Sequence, residues 1–130
     1  SKNTLAIQAA ALNKKYEIPF NGKYSWLYAG EAAIAFITSV NKNLTGSHVF
    51  NLNGSCETIE YGLSLIKELN KEANISCVDK SFPFPPDLDD LPLRNHIGDY
   101  PSISVKKGIE NTFRAFEILK SEGRCPSFSE

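Results

Sequence analysis

Few side chains in this sequence stand at spacings that support chemistry. A phosphate- or dinucleotide-binding loop needs closely clustered glycines between a strand and a helix. Gly22, Gly30, Gly46, Gly54 and Gly62 stand eight or more residues apart, so neither loop can be built. No tyrosine has a lysine four residues later, which removes the pair in which a lysine lowers a phenol's pKa for proton transfer. His48 and His96 lack cysteine or carboxylate partners at ligand spacing, so no metal site is expected. No nucleophile elbow supports a serine triad. Asp87, Asp89 and Asp90 are better read as charges at a helix start than as a divalent-cation site. Trp26 between Tyr24 and Tyr28 offers a stacking platform, although alternation on a buried strand accounts for it too. By chemistry alone, the chain carries no catalytic residue and no cofactor site.

The elements that must position these residues belong to one domain spanning residues 1–130. With 42% hydrophobic and 22% charged residues the composition is globular, and a net charge of −1 argues against a nucleic-acid binder. No apolar run is long enough to span a membrane, and no secretory pattern opens the chain. Three widely spaced cysteines, Cys56, Cys77 and Cys125, suit a reduced, cytoplasmic protein. The sequons at Asn43, Asn53 and Asn74 are taken as chance. The lack of methionine reads as a mature or trimmed product.

Apolar periodicity predicts a helix over Thr4–Lys15, an aromatic strand over Lys23–Tyr28 and a helix over Glu31–Asn41. A second strand is expected at His48–Leu52, closed by Asn53-Gly54-Ser55. Thr58 should cap the next helix, and Ile75–Val78 should form a third strand. A proline-rich loop from Ser81 to Pro92 runs into a short helix ending near Gly98. Ser104 should cap a final helix that Gly123 ends, and the tail to Glu130 reads as frayed. Alternation of strands and helices implies an α/β fold with a small three-stranded, mainly parallel sheet and crossover helices. Within it, the strands at Tyr24–Tyr28 and His48–Leu52 are expected to be parallel neighbours. The aromatic stripes exceed what so small a core needs, which suggests that one face packs on something else.

The same order of elements carries a family pattern. Trp26-Leu27-Tyr28-Ala29-Gly30-Glu31-Ala32-Ala33 resembles the W-L-Y-V-x-D-x-A segment of NAD-dependent epimerase/dehydratases, the extended short-chain dehydrogenases/reductases. Val49-Phe50-Asn51-Leu52-Asn53-Gly54 is similar to that family's V-F-N-x-G-x, and Thr58-Ile59 to its S/T-V helix start. Leu88 to Gly98 resembles the helix before its G-x-x-P, here Gly98-Asp99-Tyr100-Pro101. Lys107-Gly108-Ile109 with Thr112 and Phe116 resembles its last helix. The resemblance implies the C-terminal, substrate-binding part of such an enzyme. The Rossmann domain with its glycine loop and Tyr-x-x-x-Lys site would lie upstream, and the full-length parent would use NAD or NADP. It implies a sugar-like or nucleotide-sugar substrate, and an epimerase, dehydratase or dehydrogenase reaction. The alternative is a non-catalytic sugar- or protein-binding module that shares the fold. The implied partners are the Rossmann domain and the substrate, with a homo-oligomer as a further option.

The pattern is not complete. Family members that bind nucleotide sugars place Arg-Asp where this chain has Tyr24-Ser25, and a second arginine where it has Asp79-Lys80. The aspartate after the strand is kept only as Glu31. A diphosphate without a bidentate arginine is a poorer fit, which gives a simple sugar or sugar acid nearly equal standing. Ligands of open α/β folds lie beyond the carboxyl ends of strands. The expected substrate-binding residues are therefore Asn53, Lys80, Phe82 and Phe84, with Arg94 on the following helix. Lys80 is the first choice for an anionic group and Arg94 the second. The plainer reading is that Phe82 and Phe84 plug the core and Lys80 is solvated.

Overall fold

The computed structural model describes residues 1–43 and 45–128. In chain order its elements are α1 (Lys2–Ala11), β1 (Tyr16–Ile18), β2 (Lys23–Trp26), α2 (Ala29–Val40), β3 (Ser55–Thr58), α3 (Ile59–Leu69), β4 (Ile75–Cys77), α4 (Leu91–Ile97) and α5 (Val105–Ser121). Among the described residues no helix is long and apolar enough to cross a membrane.

Local chemistry sets the helix ends. The Ser1 hydroxyl caps α1 by accepting from the Thr4 N–H. Asn13, at φ 55°, ends it, with the Lys14 N–H reaching the Ala9 carbonyl at 2.8 Å. The helix thus stops short of Lys15, and both lysines lie beyond it. Thr58 caps α3 and Ser104 caps α5, each hydroxyl accepting an N–H three residues on, as the sequence suggests. Gly123, at φ 67°, closes α5 in the same manner as Asn13 closes α1.

The α/β class and a small parallel sheet are as expected, but the three-stranded sheet is not: the four strands among the described residues form two two-stranded sheets, one parallel and one antiparallel. The parallel pair is β1 with β4, in the register Tyr16↔Ile75 and Ile18↔Cys77. β1 escapes detection because three residues between two lysines and a proline give almost no periodicity. The parallel pairing of Tyr24–Tyr28 with His48–Leu52 is overturned. β2 instead pairs antiparallel with β3, from Lys23↔Thr58 to Trp26↔Ser55. Residues 48–52 form no ladder; Val49 is 95% exposed, while Phe50 and Leu52 lean on a neighbouring cluster. The pairing follows from close approach at Gly54, where a Cβ would collide with the Trp26 carbonyl. There the Gly54 N–H donates to the Ser25 hydroxyl at 2.9 Å.

Two apolar clusters result. The larger joins α1, β1, β4, α3 and α5, with Ala6, Ala9, Ala10, Ile18, Ile59 and Ile66 fully buried. Small alanines let α1 lie against α5 and α3. Trp26 closes this cluster above Gly62, where any Cβ would meet its indole ring. The smaller joins α2 and α4 through Ala35, Leu93, Ile97 and Tyr100. The tail is not frayed as far as Phe128: the Gln8 amide donates to the Pro126 carbonyl at 2.9 Å, and Phe128 packs edge-on against Tyr16. Ser129 and Glu130 lie outside the described residues.

Candidate ligand-binding cavity

Three helices begin around one cavity. The first turns of α1, α2 and α5 meet the end of β2 there, enclosing about 390 Å³. α1 supplies Ser1, Asn3, Thr4 and Ile7; β2 and the turn after it supply Tyr24 to Tyr28. α2 contributes Ala29 and Ala32, and the approach to α5 contributes Ile103, Ser104 and Val105. No lysine, arginine, aspartate or glutamate is among the described lining residues.

Helix N-termini carry partial positive charge, so their convergence would normally invite an anion. Here that charge is met from within the protein. Glu31, in the first turn of α2, is 2% exposed, and its carboxylate accepts the Ile103 N–H at 3.0 Å. One buried carboxylate thus serves the start of α2 and ties it to the segment entering α5. Three of the wall's aliphatic hydroxyls are committed as well. Ser25 donates to Asn53 at 2.6 Å, Thr112 donates to the Gly108 carbonyl at 2.8 Å, and Ser104 accepts from Lys107.

None of the substrate-binding residues expected from sequence is among the described lining residues, although Asn53 and Phe82 touch wall residues. Asn53 is half-buried; its amide oxygen accepts from Ser25, a wall residue, and its nitrogen donates to Asp87 at 2.8 Å. It therefore straps the proline-rich loop to the end of β2. Phe82 packs on Phe20 at 4.7 Å and on Tyr24 at 4.9 Å, so its ring touches a wall residue from behind. Phe84 stacks edge-on against Phe82 and is 67% exposed. Lys80 is exposed, and its carbonyl accepts the Asn21 N–H at 2.7 Å, which pins the start of the loop. Arg94 sits on α4 and is not among the described lining residues. Its guanidinium bonds Asp90 at 3.0 Å and lies 4.2 Å over the Tyr100 ring. The Asp90 hydrogen bond holds that guanidinium above its ordinary value, and burial pushes the Tyr100 phenol up.

Asn3 and Glu31 were not among the expected site residues. Asn3 reads as one polar residue on an alanine-rich helix, and tertiary packing buries it. Glu31 left one signal, its place after the aromatic strand.

No family model and no curated protein matches the sequence. Solved structures do match. One is a partial-consensus L-threonine 3-dehydrogenase (E-change), with TM-score 0.73 and 16% identity over 90% of this chain and 41% of that one. Another is TunA, an NAD-dependent NDP-hexosamine 5,6-dehydratase involved in tunicamycin biosynthesis, with TM-score 0.65 and 16% identity over 88% of this chain and 40% of that one. Both are extended short-chain dehydrogenases/reductases, and the fold of this chain is that of their C-terminal part. The chain spans about two fifths of their length.

Proposed function

We propose that residues 1–130 are the substrate-binding part of an NAD(P)-dependent enzyme acting on a sugar-like molecule. The observation that carries this reading is the fold likeness, which covers nearly all of this chain but only about two fifths of each neighbour. The uncovered surface supports it. On α2, Phe36, Ile37 and Val40 are 70%, 62% and 79% exposed, and Val49 within the unpaired segment 48–52 is 95% exposed. An exposed apolar helix face such as that of α2 marks a docking surface. The occupant proposed here is the cofactor-binding domain that makes up the rest of such enzymes.

The dinucleotide itself does not fit this chain. The strand-to-helix turn from β2 to α2 is the natural place for a pyrophosphate, but Glu31 already fills that helix start with a buried carboxylate. NAD or NADP belongs to the docked domain, where it would accept or return hydride. This chain's part is to form the substrate-facing wall. Asn53 holds the proline-rich loop against β2, and the prolines limit the entropy lost when that loop orders around a ligand. Lys80 and Arg94 remain the proposed contacts for an anionic substrate group, with Phe82 and Phe84 as apolar contacts.

The test is the full gene product. A glycine-rich loop and a Tyr-x-x-x-Lys pair upstream of Ser1, with NAD(P)-dependent turnover of a sugar substrate, are the expected findings. A product with neither motif nor turnover would leave the non-catalytic module as the better reading.

A further inference from the structure

Two Asn-Gly pairs, Asn21-Gly22 and Asn53-Gly54, stand in this chain, and the fold sets them in opposite conditions. Such a pair carries latent chemistry, because the glycine nitrogen can attack the asparagine side-chain carbon with no glycine Cβ in the way. At Asn21 the reacting groups are close. The Gly22 N–H donates to the Asn21 side-chain oxygen at 2.6 Å. A C=O bond is about 1.2 Å long, so the carbon bearing that oxygen lies within about 3.8 Å of the attacking nitrogen. The amide nitrogen, which must leave, has no hydrogen-bond partner among the described residues. Gly22 stands at φ 86°, and nothing lies within 4 Å of where its Cβ would be, so water has room to approach. Asn53 is closed in each of these respects. Its oxygen accepts from Ser25, its nitrogen donates to Asp87, and the Gly54 N–H donates to the Ser25 hydroxyl. A Cβ on Gly54 would collide with the Trp26 carbonyl.

We propose that Asn21 is a site of spontaneous deamidation, and that its isoaspartate product releases the start of the proline-rich loop. The Gly22 nitrogen gives up its proton to solvent and forms a C–N bond to the Asn21 side-chain carbon. The bond from that carbon to the amide nitrogen breaks, and the nitrogen takes up a proton and leaves as ammonia. Water then opens the cyclic succinimide at either of its two carbonyls, giving aspartate or isoaspartate, and no atom is oxidised or reduced. The backbone at Asn21 gives the step a consequence. Its N–H donates to the Lys80 carbonyl at 2.7 Å, and its carbonyl accepts from the Phe82 N–H at 3.1 Å. Isoaspartate puts an extra carbon between that N–H and that carbonyl, so the two bonds cannot both persist. The loop that carries Phe82 and Phe84 then loses its anchor beside the end of β1. Aspartate leaves the backbone unchanged and keeps the anchor.

The experiment ages the whole chain in mildly alkaline buffer and follows its tryptic peptides by mass spectrometry, with chromatography separating aspartate from isoaspartate. The peptide 16–23 holds Asn21 as its only side-chain amide, so conversion there is read directly. Asn21 should convert about tenfold or more faster than Asn53, the factor imposed by the hydrogen bonds that Asn53 must first break. In denaturant, where neither side chain is held, the two rates should converge. Hydrogen exchange should then show the Phe82 N–H unprotected in the isoaspartate fraction and still protected in Asn21→Asp, which reproduces the other product. An intact Asn21, an Asn53 that converts equally fast in the folded chain, rates that stay apart in denaturant, or a Phe82 N–H that remains protected in the isoaspartate fraction would each overturn the proposal. None of these readouts depends on the substrate or cofactor of a parent enzyme.

Discussion

The two apolar clusters are built on different terms. Around α1, β1, β4, α3 and α5, side chains such as Ile18, Ile59 and Ile66 are fully buried, and side-chain caps start all three helices. Around α2 and α4 the buried set is small, and neither helix has a side-chain cap at its start. The apolar residues of α2 mostly face outward: Ala35 is buried, while Phe36, Ile37 and Val40 are exposed. The first region is a core that closes on itself. The second has the composition of a core with one wall absent, which is what an interface with another domain requires.

Substitutions should separate the regions by size of effect. Ile66→Ala, at a fully buried site in the larger cluster, should cost about 2–5 kcal/mol in denaturant unfolding. Gly62→Ala should cost about 1–3 kcal/mol, because the new methyl collides with the Trp26 ring. Glu31→Ala joins the comparison at the seam between regions. It leaves the Ile103 N–H unpaired and should cost about 1–3 kcal/mol by the same assay. Phe36→Asp should change the stability of this chain by no more than about 0.5 kcal/mol. Its effect should appear instead as lost self-association or lost docking, read by analytical ultracentrifugation. A large stability loss there would mean that the second region is a finished core after all.

The smallest expected effect is a pH dependence in the second region. The Tyr100 phenol is raised by burial, so the neutral form is the one that the fold favours. Its contribution is fully present below pH 10, the ordinary phenol value, and is lost as pH rises through the higher folded value. Tyr100→Phe should flatten the loss of stability above pH 10 and leave the neutral-pH value almost unchanged. An unaltered alkaline limb would assign that loss to other groups.

The sequence spoke clearly where structure is local. Thr58, Ser104 and Gly123 mark helix ends through hydrogen bonds to nearby backbone, and each is found in that role. It misled where a partner decides. His48–Leu52 has the aromatic and β-branched character of a strand, yet finds no strand to pair with among the described residues. Ser55–Thr58 has little strand character, yet becomes β3 because Gly54 lets it approach Trp26. The candidate site was legible to the same extent. Asn53 could be placed by its turn, but the burial of Asn3 and Glu31 depends on tertiary packing, and no periodicity reports it.

Backbone hydrogen exchange, compared between this chain and the full gene product, tests the central claim that this chain is one part of a two-part enzyme. The account predicts that residues 48–52 and α2 exchange fast in the isolated chain and become protected in the full product, while β1, β4 and α3 change little. Equal exchange at residues 48–52 and α2 in both would contradict it.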